Sequence, residues 1–524
     1  MAAHSPYDEV PYHNFPIPQA QPEYLAAIAT VRGLKPQDPA EAHVLELGCG
    51  QGLNLIALAE GRPRGTFLGV DSSERQIVAA RRVAQEVGLS NIEFRQQDIL
   101  DLGNELGTFD YIIAHGVYSN VDEAVRDKLL AVCQQHLAPQ GVAFVSYSSY
   151  PGRHVHDMLR SMMFYQARGA KTTVQMVASG RELLKFLKGS MPAMDIPYNT
   201  LVQSELANVL LIDDSHLRHD LMGEVSESFY FQPFIAHASR HQLQFIGDSL
   251  DGIDYAHELA PHIEQQLAEL TSDLDQRQQY RDVLRNRSFR QALLCQAGVE
   301  LHKSNRPEQL DGLFLEAALR PEDPEIAIRS TRVDNFIAGN GSRLSTAVPL
   351  IKAALVHLGE TWPNSISTED LVAQATSRLA AAANRPLADE VAEVTRLKAN
   401  LSMVCARQVI NVTSKALPFT SSLSDQPTAS RLARWQAERG DVATNRKHQT
   451  LRLEHIDQHV LKLLDGTRGA AQLVDELTRQ AAQGLVFVSE DGRRAEDPQQ
   501  IEQLIGKLVP PSLARLAQNA FLMS

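Results

Sequence analysis

The sequence has few cysteines and lacks a long apolar run. Its cysteines, Cys49, Cys133, Cys295 and Cys405, are scattered and do not have the spacing of a metal-binding motif. We therefore expect no metal and a reducing, cytoplasmic compartment. No apolar stretch approaches the roughly 20 residues that span a bilayer, and residues 1–15 show no basic-then-apolar leader pattern. Neither membrane insertion nor secretion is expected.

Positive charge is also scarce. Lysine and arginine number 50 against 63 acidic residues, which gives a formal net charge of −13. This balance disfavours a polyanionic partner such as nucleic acid. Hydrophobic residues make up 44% and charged residues 22%, as in ordinary soluble proteins. A length of 524 residues predicts two to four domains.

The sequence does contain a glycine-spaced turn between a predicted strand and a predicted helix. Glycines at 48, 50 and 52 separate the apolar run Val44–Leu47 from the helix-forming run Leu53–Ala59. This pattern is typical of a nucleotide-binding βα unit, because glycine permits positive φ and close approach of a ligand. A dinucleotide turn would carry its third glycine where Leu53 stands. A turn without any ligand is the alternative.

Strands and helices alternate after this turn, which predicts a mainly parallel sheet with ligands at the carboxyl ends of its strands. The predicted helices Pro22–Leu34 and Asp122–His136 flank the core. The further predicted strands are Thr66–Val70, Ile92–Gln96, Phe109–Ala114 and Val142–Tyr147, the last preceded by a turn at Pro139-Gln140-Gly141.

Polar residues follow three of these strands. Asp71 lies about 20 residues beyond the glycine turn, where an acid contacts ribose hydroxyls in such folds; capping of the next helix is its alternative role. Asp98 follows the third strand. His115 follows the fourth, where it could take a proton, orient a substrate or only bind backbone.

The pattern Glu-x-Gly-x-Gly-x-Gly at 46–52, together with these strand ends, resembles motif I of the class I S-adenosylmethionine-dependent methyltransferases. The resemblance implies S-adenosylmethionine as cofactor, with Asp98 near the adenine amino group. The residues that it implies for cofactor binding are Tyr7, Glu46, Gly48, Cys49, Gly50, Asn54, Asp71, Ser72, Asp98, Ile99, His115 and Gly116.

Later segments resemble the methyltransferase regulatory domain and the architecture of bacterial protein-lysine methyltransferases of the rickettsial outer-membrane-protein type. They include Phe229–Phe234, Arg285–Arg290, Arg431–Ala437 and Leu463–Arg468. The resemblance implies transfer to lysine side chains of a protein substrate by direct displacement, in which the amine lone pair attacks the sulfonium methyl from the side opposite sulfur and the carbon–sulfur bond breaks. Lysine must first lose a proton from a pKa of about 10.4, which an apolar aromatic pocket would favour. Candidate catalytic or wall residues are Tyr12, His115, Tyr118, Tyr147, Tyr150 and Tyr198.

Two positions depart from the family pattern. Arg153 and Asn120 stand where the family commonly has tryptophan, which removes aromatic surface near the expected acceptor. A small-molecule methyltransferase and a cofactor-binding regulator without chemistry therefore remain as alternatives. The proline-rich arm at residues 5–18 is expected to pack over the cofactor site, or only to cover apolar surface.

The predicted fold class is α/β, a Rossmann-like seven-stranded sheet followed by mainly helical domains and a C-terminal winged-helix-like module. We expect a cofactor-binding core with its arm at 1–165, a helical insertion and regulatory domain at 166–300 in which 226–250 completes the sheet, a helical middle domain at 301–420, and the winged-helix-like domain at 421–524. In this last domain, helices Ile456–Leu464 and Ala470–Thr478 precede a hairpin turning at Asp491-Gly492. Its mixed charges favour protein contacts over DNA, and its removal should leave cofactor affinity nearly unchanged.

Overall fold

A seven-stranded mixed sheet forms the centre of the molecule, with strand order β3-β2-β1-β4-β5-β7-β6. The computed structural model describes residues 14–191, 196–251, 259–302, 307–383, 390–406, 409–490 and 493–523. The sheet strands are β1 His43–Leu47, β2 Thr66–Asp71, β3 Ile92–Gln96, β4 Phe109–Ala114, β5 Leu137–Ser148, β6 Leu243–Asp248 and β7 Phe289–Gln296. Only β7 runs antiparallel to its two neighbours, and the predicted fold class is confirmed.

Helices cover both faces of this sheet and build the remaining layers. In the amino-terminal half they are α1 Pro22–Val31, α2 Leu53–Glu60, α3 Glu74–Val87, α4 Glu123–His136, α5 His154–Gln166, α6 Thr173–Ser190, α7 Pro197–Val209, α8 Phe231–Arg240, α9 Pro261–Leu270 and α10 Leu274–Arg285. In the carboxyl-terminal half they are α11 Pro349–Thr361, α12 Thr368–Ala383, α13 Glu390–Ala406, α14 Arg431–Ala437, α15 His455–Leu463, α16 Ala470–Ala482 and α17 Pro498–Gln518.

Alternate residues along the central strands enter separate apolar clusters, because neighbouring side chains of a strand point to opposite faces. Val44 and Ile113 pack in one cluster, which also holds Leu355 of the middle region. Leu45 and Ile112 pack in the other, with helices α4 and α8. The middle region therefore shares the core of the sheet.

Several predicted elements differ by one to five residues at their ends, and the differences at α1, β5 and β6 affect the architecture. Helix α1 ends at Val31, because Gly33 takes φ +97° just beyond it. Strand β5 begins at Leu137 and therefore includes residues 139–141, which were expected to form a turn before it. Its pairing with β4 is irregular at this point. The segment 226–250 does supply β6, but β7 from beyond it separates β6 from β5.

The middle region is not only helical, as was expected. It also contains two three-stranded sheets whose strands are too short for periodicity to reveal. These are β8 Phe314–Glu316, β9 Leu319–Pro321, β10 Asp334–Ala338, β11 Arg343–Thr346, β12 Ile366–Ser367 and β13 Asn411–Thr413.

The C-terminal region has its own apolar cluster, centred on Val460, Leu477 and Ile505. Its strands are β14 Val442–Thr444, β15 Thr450–Arg452, β16 Ser489–Glu490 and β17 Arg493–Arg494. Strands β16 and β17 pair as a hairpin, while the predicted turn at 491–492 lies outside the described residues. Val486 and Val488, expected to be strand residues, instead pack into this cluster just before the hairpin.

Candidate functional site

The glycine turn lies at the edge of a cavity of about 630 Å³ at the carboxyl ends of the parallel strands. Gly48 and Gly50 line it and have φ of +70° and +53°. A Cβ on Gly48 would lie 2.5 Å from Cγ2 of Val117, and one on Gly50 would lie 3.3 Å from Nδ2 of Asn14. Helix α2 begins directly after the turn, so its unpaired N–H groups face this end of the sheet.

Three carboxylates, from Glu46, Asp71 and Asp98, line the same cavity. Asp71 accepts hydrogen bonds from the N–H of Gly50 through Oδ2 and of Ser73 through Oδ1, both at 2.9 Å. Asp98 accepts from the N–H of Leu100 at 2.9 Å. Asp71 and Asp98 therefore shape the backbone, and since each carboxylate oxygen has two lone pairs, both retain acceptor capacity for a ligand.

Glu46 is buried beneath the turn. Its Oε1 accepts from Nδ2 of Asn54 at 2.9 Å, and its Oε2 has no hydrogen-bond partner among the described residues. Burial raises the pKa of Glu46 to about 8, and the Asp71 carboxylate adds to the rise, while the Asn54 hydrogen bond opposes it. A buried acceptor without a partner beside an open cavity suits a ligand that donates a hydrogen bond or carries a cation.

The amino-terminal arm covers the cavity with residues 14–18, which all line it. Nδ2 of Asn14 donates to the carbonyl of Cys49 at 2.8 Å, and the N–H of Ile17 donates to Oδ1 of Asn54 at 3.0 Å. Phe15 stacks on His216, with ring centroids 6.1 Å apart. For the described part of the arm, the expectation that it packs over the site is confirmed.

The other half of the cavity is lined by His115 and Gly116, Ser148 at the end of β5, and Phe289 at the start of β7. The His115 ring lies 5.8 Å from that of Phe289. Burial lowers the pKa of His115 to about 4, so the ring is neutral at physiological pH. Its Nδ1 is buried without a hydrogen-bond partner among the described residues.

Arg153 and Asp220 add charge to this half of the cavity. Burial lowers the pKa of the Arg153 guanidinium, an effect that the nearby carboxylates of Asp157, Glu205 and Asp220 oppose. Asn120 lines the same wall and donates to the carbonyl of Gly116 at 2.8 Å. A polar and charged wall therefore occupies the place where aromatic surface was expected from the family pattern.

The structure brings ten of the predicted cofactor residues to the cavity: Glu46, Gly48, Gly50, Asn54, Asp71, Ser72, Asp98, Ile99, His115 and Gly116. The side chain of Cys49 is instead buried in the apolar cluster beneath the turn. Tyr7 and Tyr12 lie outside the described residues.

The predicted tyrosines beyond the arm are not in the cavity wall. Tyr118 and Tyr147 are buried, packed on Phe234 with ring centroids at 5.1 and 4.2 Å. Tyr150 donates to Asp157 at 2.8 Å. Tyr198 is 55% exposed and points to Sδ of Met158 at 3.7 Å. The geometry corrects the expectation that they surround the acceptor, because the tight turn after β4 directs Tyr118 into the core and alternation along β5 does the same for Tyr147.

Several of the cavity residues were not predicted individually from the sequence. Asn14 meets Cys49 across 35 residues, and Asp220, Phe289 and Gln291 arrive from segments far along the chain. Contacts between residues so far apart in the chain leave no pattern among neighbouring residues of the sequence. Arg153 and Asn120, which the sequence placed near the expected acceptor, do line the cavity.

Comparisons with known proteins agree with this geometry. A methyltransferase-domain family matches residues 39–190, a predicted methyltransferase regulatory domain matches 213–296, and the C-terminal winged helix domain of PKMT matches 425–521. The chain is 30% identical to the uncharacterized protein RP789 of Rickettsia prowazekii, over 100% of this chain and 94% of that protein. It is 35% identical to the uncharacterized protein RP028 of the same organism, over 46% of this chain and 96% of that one.

Among solved structures, PKMT2 from Rickettsia typhi in complex with AdoHcy superposes with a TM-score of 0.86 at 27% identity, over 98% of this chain and 100% of that one. The chain therefore belongs to the family of methyltransferases that join a methyltransferase domain, a methyltransferase regulatory domain and a PKMT-type winged helix. Within the described residues, no helix combines the length and apolar character needed to cross a membrane.

Proposed function

We propose that this protein transfers methyl groups from S-adenosylmethionine to lysine side chains of a protein substrate. The observation that carries the proposal is the glycine turn with three carboxylates at a covered cavity. It is supported by the likeness to PKMT2, a name that denotes a protein-lysine methyltransferase and a structure solved with AdoHcy. The free, buried cysteines accord with a reducing cytoplasm.

The residues at the glycine turn fit this cofactor. The turn at Gly48 and Gly50, which lines the cavity, would take its amino-acid end, and the unpartnered oxygen of Glu46 would accept from its ammonium group. Asp71 would bind the ribose hydroxyls, and Asp98 with Ile99 would hold the adenine. Bound in this way, S-adenosylmethionine would supply an electrophilic methyl group, while residues 14–18 would exclude water from above.

The acceptor half of the cavity would favour a neutral amine. Phe289 and Val121 supply apolar wall, and the Arg153 guanidinium would repel a second cation nearby. Both effects lower the pKa of an incoming lysine. The buried Nδ1 of neutral His115 can accept a hydrogen bond from the amine and orient its lone pair.

Arg153 also favours a second candidate function, methylation of a small anionic molecule. A buried guanidinium in the cavity wall would pair with a carboxylate or phosphate of such an acceptor. In that case the additional domains would serve as lid and platform. A third possibility is a regulator that binds the cofactor without chemistry.

Incubation with methyl-labelled S-adenosylmethionine tests these alternatives. The enzyme is mixed separately with the protein and the small-molecule fractions of an extract of its host cell. Methyl-lysine in hydrolysed protein supports the proposal, and label only in small molecules assigns the second function. Cofactor binding without any transfer would identify a regulator. The variant Gly50→Val, which we expect not to bind the cofactor, serves as the negative control.

Calorimetry tests whether the protein binds S-adenosylmethionine. Chelator-treated protein should bind S-adenosylmethionine or its demethylated product at one site per chain. We expect no binding of NADH, because the turn lacks the dinucleotide spacing. Binding of NADH in place of S-adenosylmethionine would overturn the proposal.

A further inference from the structure

Two histidines and an aspartate meet on the surface between helices α4 and α8. Asp127 lies on α4, and His237 and His241 lie one helical turn apart at the end of α8. Oδ1 of Asp127 lies 3.2 Å from Nε2 of His237 and 2.8 Å from Nε2 of His241. All three potential ligand atoms fall within 4.8 Å of one another. The three side chains therefore converge on one point.

The spacing of these atoms suits a small tetrahedral ion. With metal–ligand distances of 2.0–2.1 Å, neighbouring ligand atoms of a tetrahedral zinc site lie about 3.3 Å apart. The separation of Asp127 from His237 is close to this value, and that from His241 is slightly shorter. Imidazole nitrogens with one carboxylate oxygen form a donor set that zinc and neighbouring divalent transition metals accept.

The far side of His237 is held in the manner typical of a metal ligand. Its Nδ1 lies 2.7 Å from the hydroxyl of Tyr118. When the Tyr118 hydroxyl accepts a hydrogen bond from Nδ1–H of His237, the Nε2 lone pair is directed toward Asp127 and His241. Tyr118 is itself fixed by packing against Phe229 and Phe234. A rigid outer partner of this kind orients a ligand in advance of binding.

The surroundings leave room for a fourth ligand. The side chain of Asp127 is 59% exposed, whereas those of His237 and His241 are 10% and 17% exposed. Water can therefore complete the coordination from the Asp127 side. None of the three side chains lines the cavity at the glycine turn, so this cluster is separate from the methyl-transfer site.

We propose that Asp127, His237 and His241 bind Zn²⁺, or a divalent ion of similar preference, and clasp helix α4 to helix α8. The ion is held by two neutral imidazoles and one carboxylate. Through Tyr118 the ion also fixes the segment that follows β4. Val117 and Asn120, which lie close to Tyr118 in this segment, line the cavity. The alternative is a clasp of hydrogen bonds alone, in which Nε2–H groups of both histidines donate to Asp127.

The test measures Zn²⁺ binding to the full chain, free of any affinity tag and stripped with a chelator. Calorimetry with Zn²⁺ alone should show one site per chain, and Co²⁺ should give the visible absorption of a tetrahedral complex. We expect His237→Ala, His241→Ala and Asp127→Asn each to weaken Zn²⁺ binding by about ten-fold or more. Tyr118→Phe should weaken it by about 10–100-fold, the range found for outer-shell partners.

The chain offers a matched control in a second histidine pair. His455 and His459 also lie one turn apart on a helix, with ring centroids 4.7 Å apart. They belong to no group of three potential ligands among the described residues. The variant His459→Ala should leave Zn²⁺ affinity unchanged.

Thermal melting shows whether each variant is folded. Zn²⁺ should raise the melting temperature of the parent protein by mass action, and it should raise that of Asp127→Asn, an exposed and conservative change, by less at the same Zn²⁺ concentration. Equal Zn²⁺ affinity in the parent and all three ligand variants would overturn the proposal. Loss of Zn²⁺ binding on changing His459 would overturn it as well.

Discussion

At the scale of single residues, the Asp71 carboxylate has two roles. It accepts hydrogen bonds from the N–H groups of Gly50 and Ser73, and it faces the cavity. Asp71→Asn keeps an acceptor for one of these two N–H groups and removes the charge, whereas Asp71→Ala removes both acceptors and the charge. We expect Asp71→Ala to weaken cofactor binding by about 2–4 kcal/mol, with a smaller loss for Asp71→Asn.

Calorimetric titration with S-adenosylmethionine measures this loss. Asp110→Asn is the control, because Asp110 also accepts from a backbone N–H, that of His43 at 2.9 Å, but at the start of β4, far from the cavity. Unchanged cofactor affinity in both Asp71 variants would leave this residue with the backbone role alone.

Glu46 makes stability depend on pH. Its pKa is about 8 in the folded protein and about 4.3 in an unfolded chain. Between these values the folded state holds the additional proton, so the free energy of unfolding falls as pH rises from about 4 to 8. Glu46→Gln keeps the acceptor for Asn54 without titrating. Its stability relative to the parent should therefore rise by roughly 1–3 kcal/mol between pH 5 and pH 8.

Urea unfolding of cofactor-free protein at several pH values checks this expectation. Glu41→Gln serves as the control, because the Glu41 side chain is 52% exposed. If the Glu46→Gln and parent curves remain parallel across the range, burial does not perturb this carboxyl.

At the scale of elements, the turn between β1 and α2 tolerates no side chain at Gly50. The residue has φ +53°, and its Cβ position lies close to Asn14 of the covering arm. Gly50→Val should abolish S-adenosylmethionine binding, because it strains the turn and displaces the arm. Gly169→Val is the control, since Gly169 has ordinary φ and open space around it. Methyl transfer by Gly50→Val would place the cofactor elsewhere.

At the scale of the whole molecule, the C-terminal region is not a detached module. Buried Glu60, the last residue of α2, accepts from Oγ of Ser430 at 2.6 Å and lies 3.5 Å from the guanidinium of Arg446. Trp435 donates to Glu86 near the end of α3 at 2.6 Å. Since α2 and α3 both start beside the cavity, this contact lies at their opposite ends.

This packing adds a loss of stability to the expected result of removing the C-terminal region, while unchanged cofactor affinity stays a prediction. Truncation before Ser430 would also remove Leu432, which packs in the central apolar cluster, so it tests stability more than contact with a protein partner. Arg446→Met isolates the interface: we expect a loss of about 3 kcal/mol in the free energy of unfolding, because Glu60 loses its buried cation. Cofactor affinity of the folded variant should stay unchanged.

Urea unfolding measures this loss. Arg452→Met is the matched control, because the Arg452 side chain is 80% exposed in its pair with Asp441 and exposed pairs contribute about 0–1 kcal/mol. Equal losses in the two variants would show that the interface does not depend on Arg446. That this region contacts protein and not nucleic acid remains a prediction, which a titration with duplex DNA at physiological salt would test.

The sequence by itself determined the features that depend only on residues near one another in the chain. Strands β3 and β4 have their predicted bounds, since apolar periodicity is a property of neighbouring residues. The glycine spacing, Glu46 before it and the acids Asp71 and Asp98 at the ends of β2 and β3 predicted the cofactor half of the cavity, because parallel strands bring their carboxyl ends to one edge.

Tertiary structure alone decided which distant segments meet. It placed β7 between β5 and β6, directed Tyr118 to His237 and away from the cavity, and brought Asp127 to two histidines more than a hundred residues later. It also buried Glu60 beneath the C-terminal region. Such contacts follow from the packing of whole apolar faces, which depends on all the elements together and leaves no periodic trace in any one of them.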